Sequence, residues 1–378
     1  MKASFWRLFT FAAALSLLAT AGAGAESRFT TTKPLVQVAI LLDTSNSMDG
    51  LISQAKSQLW KIVNEFNHAK QDGQMPEVQV ALFEYGNNGL SAQAGYIRKV
   101  SDFTTDLDLI SEKLFALKTN GGEEYCGWVI KDALERLEWS PSSRAYKAIF
   151  IAGNEPFTQG PVDYVDPCKS AKARGILVNT IHCGDERTGV ETMWRDGARL
   201  GDGKFLVIDQ DRAVAYVEAP QDKEIAKLSS DLNGTYLAYG TAGEASSARQ
   251  EMQDRNASTM ASAGAPVARA VAKSSANYNN GSWDLVDAAK NKDFKLEAVK
   301  ETDLPATMQA LPPAERKEFV DQKAKERADL QARIIELNAA REKYVAARMK
   351  EIAGTNTLDN VVITTVREQA QTRAFTFE

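Results

Sequence analysis

The stretch from Leu35 to Met48, Leu-Val-Gln-Val-Ala-Ile-Leu-Leu-Asp-Thr-Ser-Asn-Ser-Met, constrains the fold more than any other part of the 378-residue chain. It is a run of strand length, apolar at both odd and even positions and interrupted only by Gln37. Successive strand side chains point to opposite faces, so such a run must be covered on both, as in a parallel α/β sheet. The run empties into Asp43, Ser45 and Ser47. Leu51, Ile52, Ala55, Leu59, Ile62, Val63 and Phe66 then follow at helical spacing. Oxygen-bearing side chains at the carboxyl end of a strand sit where open α/β sheets bind ligands. One carboxylate and two hydroxyls, without sulfur or imidazole, make a hard oxygen set suited to Mg²⁺, Mn²⁺ or Ca²⁺. The same residues are also good caps for the following helix.

The pattern repeats down the chain. A strand is expected at 78–86, and a turn at Asn87-Asn88-Gly89 returns it as a short strand at 96–100. A helix follows over 105–117, then a glycine-rich acidic loop, Thr119-Asn120-Gly121-Gly122-Glu123-Glu124, and a helix through Val129 and Leu137. A buried strand at 147–152 ends in Gly153-Asn154-Glu155. Helices at 166–174, 194–200 and 225–232 alternate with strands at 176–182 and 204–208. This alternation predicts a doubly wound, mostly parallel α/β sheet with helices on both faces, followed by an α-helical C-terminal region.

Residues 1–25 are expected to be a secretory signal. Lys2 and Arg7 supply its positive end, Phe9 to Ala19 its apolar core, and Ala23-Gly24-Ala25 its cleavage site. Its removal takes the formal charge from −5 to −7. That acidity argues against generic nucleic-acid or anionic-membrane binding. No later apolar run is long enough to span a membrane, so the expected location is the periplasm or the cell exterior. With His68 and His182 the only histidines and no Cys-x-x-Cys, a zinc cluster is not expected. His182 and Cys183, adjacent on one strand, would point to opposite faces and make no catalytic dyad, so no enzyme is expected.

The order of these segments, with Asp-x-Ser-x-Ser ending the first strand and a Gly-Gly loop downstream, resembles the von Willebrand factor type A domain over residues 33–240. The resemblance implies a divalent cation, Mg²⁺ or Mn²⁺ with Ca²⁺ also suited, held at a metal-ion-dependent adhesion site on top of the sheet. Ser45 and Ser47 would bind it directly, and Asp43 would act through water. Thr119 and Glu124 would come from the second loop, Glu124 being favoured over Glu123. The third loop departs from the family's Thr-Asp-Gly: Gly153 stands in the place of the aspartate, which leaves Asn154 as the candidate ligand. The partner implied is another protein offering an acidic side chain. In that fold the cysteines fall near one end of the sheet. Cys168 with Cys183 is the expected disulfide, and Cys126 with Cys183 the second choice.

Residues 241–275, rich in Ala, Ser and Gly, read as a linker, and 276–308 as a short docking segment. Residues 309–378 read as a helical hairpin or coiled-coil-like region through which the protein could self-associate. Two functions follow as expectations. One is an exported adhesion or assembly module that uses a cation; the other is a metal-free envelope scaffold whose C-terminal helices bind the partner.

Overall fold

The computed structural model describes residues 33–48, 60–208, 216–259, 264–351 and 358–377. The expected signal, and residues 51–59 of the helix expected after Met48, lie outside them. The strands are β1 (Leu35–Asp43), β2 (Ala69–Lys70), β3 (Glu77–Tyr85), β4 (Ile97–Thr104), β5 (Tyr146–Gly153), β6 (Leu177–Cys183), β7 (Asp202–Ile208) and β8 (Thr376–Phe377). The helices that matter here are α1 (described over 60–66), α2 (Leu107–Ala116), α3 (Cys126–Arg136), α4 (Val165–Ala173), α5 (Glu186–Glu191), α6 (Trp194–Leu200), α7 (Asp222–Asn233), α8 (Gly243–Thr259), α9 (Ala265–Lys273), α10 (Leu285–Ala288), α11 (Ala306–Gln309), α12 (Pro313–Glu351) and α13 (Leu358–Gln371).

Six strands form one sheet in the order β4-β3-β1-β5-β6-β7. All neighbours are parallel except β3 and β4, the expected hairpin. β1 is central because its apolar side chains can be buried on both faces. Val36, Val38 and Leu42 enter one core layer, with Trp60, Val63 and Phe66 of α1 and Leu107, Ile110 and Leu114 of α2. Ala39 and Leu41 enter the other, with Val129, Ile130 and Ala133 of α3, Ala171 of α4 and Trp194 of α6. The doubly wound class is therefore as expected.

The C-terminal region departs from the expected hairpin. Val362, Val366 and Ala370 of α13, and Phe375 beyond it, belong to the same core layer as Val38, Phe150 and Ile181. Gln369 of α13 accepts from the Tyr146 hydroxyl at 3.0 Å and donates to Asn179 Oδ1 at 2.6 Å, which ties the helix to β5 and β6. β8 then pairs antiparallel with β2. α13 is thus a layer of the sheet domain, drawn there by apolar faces that β5 and β6 would otherwise leave in water.

The helix expected to close the sheet domain, α7, packs elsewhere. Ile225 and Leu232 meet Val267 and Ala270 of α9 and Ile334 and Leu337 of α12 in a separate cluster. Nor is 241–275 a linker, since α8 and α9 are docked helices. α8 is poor in apolar side chains, whereas α9 buries Val267, Ala270 and Ala272, and ion pairs tie the two helices to each other and to α2. The buried Arg269 guanidinium pairs with Asp108 of α2 at 2.5 Å and Asp254 of α8 at 2.9 Å, and lies 4.7 Å from the Trp60 ring centroid. Lys273, also buried, meets Asp254 at 2.7 Å. Long cationic side chains bury aliphatic length while their charged ends are paired. Among the described residues no helix is long and apolar enough to cross a membrane.

Candidate metal centre

Three loops meet at the carboxyl end of β1, β3 and β5. Asp43, the last residue of β1, continues the face that carries Ala39 and Leu41 and is therefore carried into the layer under α3. The Ser45 amide donates to Asp43 Oδ1 at 2.7 Å, so the chain turns back over the carboxylate. Thr44 points the other way and serves as a clamp. Its amide donates to the Tyr85 carbonyl, and its carbonyl accepts from the Asn120 amide, both at 2.9 Å. The second loop is held again by the Asn88 amide on the Gly121 carbonyl at 2.9 Å and by Asn87 Nδ2 on the Lys118 carbonyl at 2.9 Å.

These clamps bring Glu124 against Asp43. A Cβ on Gly86 would come within 2.7 Å of Asp43 Oδ1 and 2.9 Å of Glu124 Cγ, and Gly86 has φ of +79°. Only glycine lets β3 end between the two carboxylates. The Glu124 amide donates to Gln159 Oε1 at 2.7 Å, fixing the loop against the segment after β5. Burial raises Asp43 to about 7, opposed by hydrogen bonds from Ser45 and reinforced by Glu155. Burial likewise raises Glu124 to about 7, reinforced by the charges of Asp43 and Glu155 and opposed by a hydrogen bond from the Ser45 side chain. The Ser45 hydroxyl therefore interacts with both carboxyls, and Glu155 adds a third negative charge nearby. Among the described residues, Asp43 Oδ2 is buried and has no hydrogen-bond partner.

An orphaned carboxylate oxygen, a serine between two buried carboxyls and no sulfur or imidazole fit a hard divalent cation. Asp43, Ser45 and Glu124 are the candidate oxygen donors that the fold brings together here. Thr119 and Asn154 are half-buried in the adjoining loops. Ser47 has its backbone in the short 3₁₀ turn Asn46–Met48, and its side chain lies outside what is described. Among the described residues, no three His, Cys, Asp or Glu side chains are gathered as a metal cluster. Hydroxyl, amide or water oxygens would have to complete the shell.

Tyr85, Gly86 and Gln159 escaped sequence reasoning. The Tyr85 hydroxyl donates to the Ala152 carbonyl at 2.9 Å and lies 3.7 Å from Cys126 Sγ. A Cβ on Gly153 would come within 2.5 Å of that hydroxyl and 3.3 Å of Asp43 Cβ. The aspartate absent from the third loop thus has no room here, because a tyrosine on β3 fills its space. The available signal was the polar ending Glu84-Tyr85-Gly86 on a strand otherwise apolar from Val80.

The disulfide expectation is overturned. Cys126, Cys168 and Cys183 are buried thiols. Cys168 lies in the core layer of Leu41 and Cys126, whereas Cys183 lies with Ile181 in the layer of Leu42. Alternation along β6 puts Cys183 on the opposite side of the sheet from both other thiols, so neither proposed pairing can close. His182, one residue away, faces Trp194 with ring centroids 5.7 Å apart, which separates it from Cys183 as expected.

The family model of the von Willebrand factor type A domain matches residues 37–195. No curated protein matches the chain. Among solved structures, the chain is similar to BatB, a conserved hypothetical protein from Bacteroides thetaiotaomicron. The identity is 19% over 46% of this chain and 90% of that one, with a TM-score of 0.35. It is also similar to proximal thread matrix protein 1 from the mussel byssus, in a form with a zinc-occupied MIDAS motif. There the identity is 16% over 48% of this chain and 43% of that one, with a TM-score of 0.35. A von Willebrand factor type A protein from Catenulispora acidiphila is 17% identical over 48% of this chain and 40% of that one, with a TM-score of 0.35. Over residues 37–195 this chain is similar to the von Willebrand factor type A domain, in keeping with its mostly parallel, helix-flanked sheet.

Proposed function

We propose that the chain is an exported, non-enzymatic binding protein whose type A domain engages another protein through a divalent cation at Asp43, Ser45 and Glu124. The observation that carries this reading is Asp43 Oδ2, a buried carboxylate oxygen without a donor among the described residues, beside a second buried carboxyl. Desolvating such a pair is costly unless a positive charge joins it. Mg²⁺ or Mn²⁺ would supply that charge and a Lewis-acidic position, with Ca²⁺ also compatible with oxygen donors. Ser47, Thr119 and Asn154 complete the proposed ligand set. The protein's own groups position and exclude: Ser45 orients both carboxyls, Thr44 locks the loops, and Tyr85 closes the third-loop corner. A carboxylate from the partner is the ligand chemistry that suits a cation with an open position. The mussel protein's zinc-occupied site is a precedent for the family, not for this chain.

The test is capture from the native envelope fraction on the immobilised full chain, with and without chelator. A partner should be retained with Mg²⁺, released by chelator, and lost with Asp43→Ala. Retention indifferent to chelator and to Asp43→Ala would instead support a metal-free scaffold that binds through its helices.

A further inference from the structure

Three aromatic side chains stand directly beside the candidate centre and take no part in it. Tyr125 follows Glu124 in the chain. Its ring lies parallel to that of Trp128, with centroids 6.2 Å apart and planes at 4°, and Tyr96 meets it edge-on at 5.9 Å. Two glycines back the rings. A Cβ on Gly95 would come within 2.7 Å of Trp128 Cε3, and one on Gly160 would run into the Tyr125 ring. Both glycines have positive φ, +66° and +95°, so the backbone is bent to lie flat against the aromatics. All three rings remain partly exposed, whereas Trp60 and Trp194 are fully buried in the core.

The charge beside these rings says what they suit. Glu123 is exposed and lies two residues before Tyr125 in the same loop. Aromatic faces carry negative electrostatic potential, and a neighbouring carboxylate adds to it. Anionic groups are disfavoured there and cations favoured. We propose that Tyr96, Tyr125 and Trp128, with Glu123, form a docking platform for a lysine or arginine side chain of the protein partner. That the partner is a protein rests on the function proposed above; the preference for a basic group rests on the rings and Glu123 alone and needs no cation.

The test uses the full chain labelled with ¹⁵N-tryptophan, in buffer containing chelator, so that the cation reading does not enter. The Trp128 indole resonance is assigned by its loss in Trp128→Phe, and Trp60, Trp139, Trp194 and Trp283 serve as fold controls. N-acetylarginine amide should shift the Trp128 indole saturably. Its dissociation constant should rise about threefold or more in Glu123→Gln and at high salt, and the shift should vanish in Tyr125→Leu with the core indoles unmoved. The proposal is overturned by no saturable shift at Trp128. An equal response to N-acetylglutamate amide or to methyl glucoside, or a response indifferent to Glu123→Gln, overturns it as well. Because the metal is chelated throughout, these failures would leave the cation site standing, and a failed metal titration would leave the platform standing.

Discussion

A chain ending at residue 357 is expected to lose cooperative folding of its sheet domain, although the cut removes none of the residues matched by the family model. The reason is the destination of α13. Val362, Val366, Ala370 and Phe375 are buried against β5, β6 and α1, and the Phe66 ring meets both Tyr146 at 5.2 Å and Phe375 at 6.4 Å. Burying a large apolar side chain stabilises by about 1.5–3 kcal/mol. Loss of this set would remove roughly 5–10 kcal/mol, which is comparable to the whole stability of an ordinary domain. Gln71, whose side-chain amide donates to the Arg144 carbonyl at 3.0 Å and the Arg373 carbonyl at 2.6 Å, would lose half of its anchorage as well. Thermal unfolding followed by circular dichroism is the check. A truncated chain that melts with an unchanged midpoint would show that α13 is dispensable to the sheet.

Arg327→Met is expected to be nearly as damaging, from a site far from any candidate ligand. The guanidinium is buried and reaches Asp284 at 2.6 Å, Asp287 at 3.1 Å and the Thr235 carbonyl at 2.8 Å, with the Tyr236 ring centroid 3.9 Å away. Trp283 stacks on the same Tyr236 ring, with centroids 5.7 Å apart. Removing the cation leaves two buried carboxylates facing each other. Breaking a buried pair from one side costs about 3–5 kcal/mol, a fall in melting temperature on the order of 10 °C for a chain of this size. Arg327→Met combined with Asp284→Asn should recover part of the loss, because one of the two carboxylates is then neutral and Asp287 keeps its ion pair with Lys290. A double variant no more stable than Arg327→Met would contradict the electrostatic account.

Both predictions come from contacts that local pattern could not reveal. The run Leu35 to Leu42 announced a two-faced strand because, Gln37 apart, it is apolar at both odd and even positions. The hairpin β3–β4 was legible from Asn87-Asn88-Gly89. The stripe of α13 was also visible as an amphipathic helix, but spacing says that a helix has an apolar face and not which face receives it. α8 and α9 looked like linker because Ala and Ser dominate them. Their docking combines the Val267 and Ala270 face of α9 with Arg269 and Lys273 finding Asp108 and Asp254, contacts between distant positions that no window of sequence contains. At the site, Asp43 and Ser45 were legible as oxygen-bearing side chains at a strand end, and Glu124 was a candidate through the family resemblance of the Gly-Gly loop. Tyr85 was not, since its role is to occupy the space of a side chain missing from a different strand.

The central claim is that Asp43, Ser45 and Glu124 hold a divalent cation, and calorimetric titration of Mn²⁺ and Mg²⁺ into the full chain tests it most directly. Both carboxyls sit at about 7, so at lower pH they hold protons that a cation must displace. Affinity should therefore rise with pH through that range, by up to about tenfold per unit for each proton released, and level off above it. The expected result is saturable binding of one ion, tighter at about pH 8 than at about pH 6, and lost when Ser45→Ala is combined with Ser47→Ala. No heat with either ion across that range, or heat unchanged in the double variant, would contradict the account.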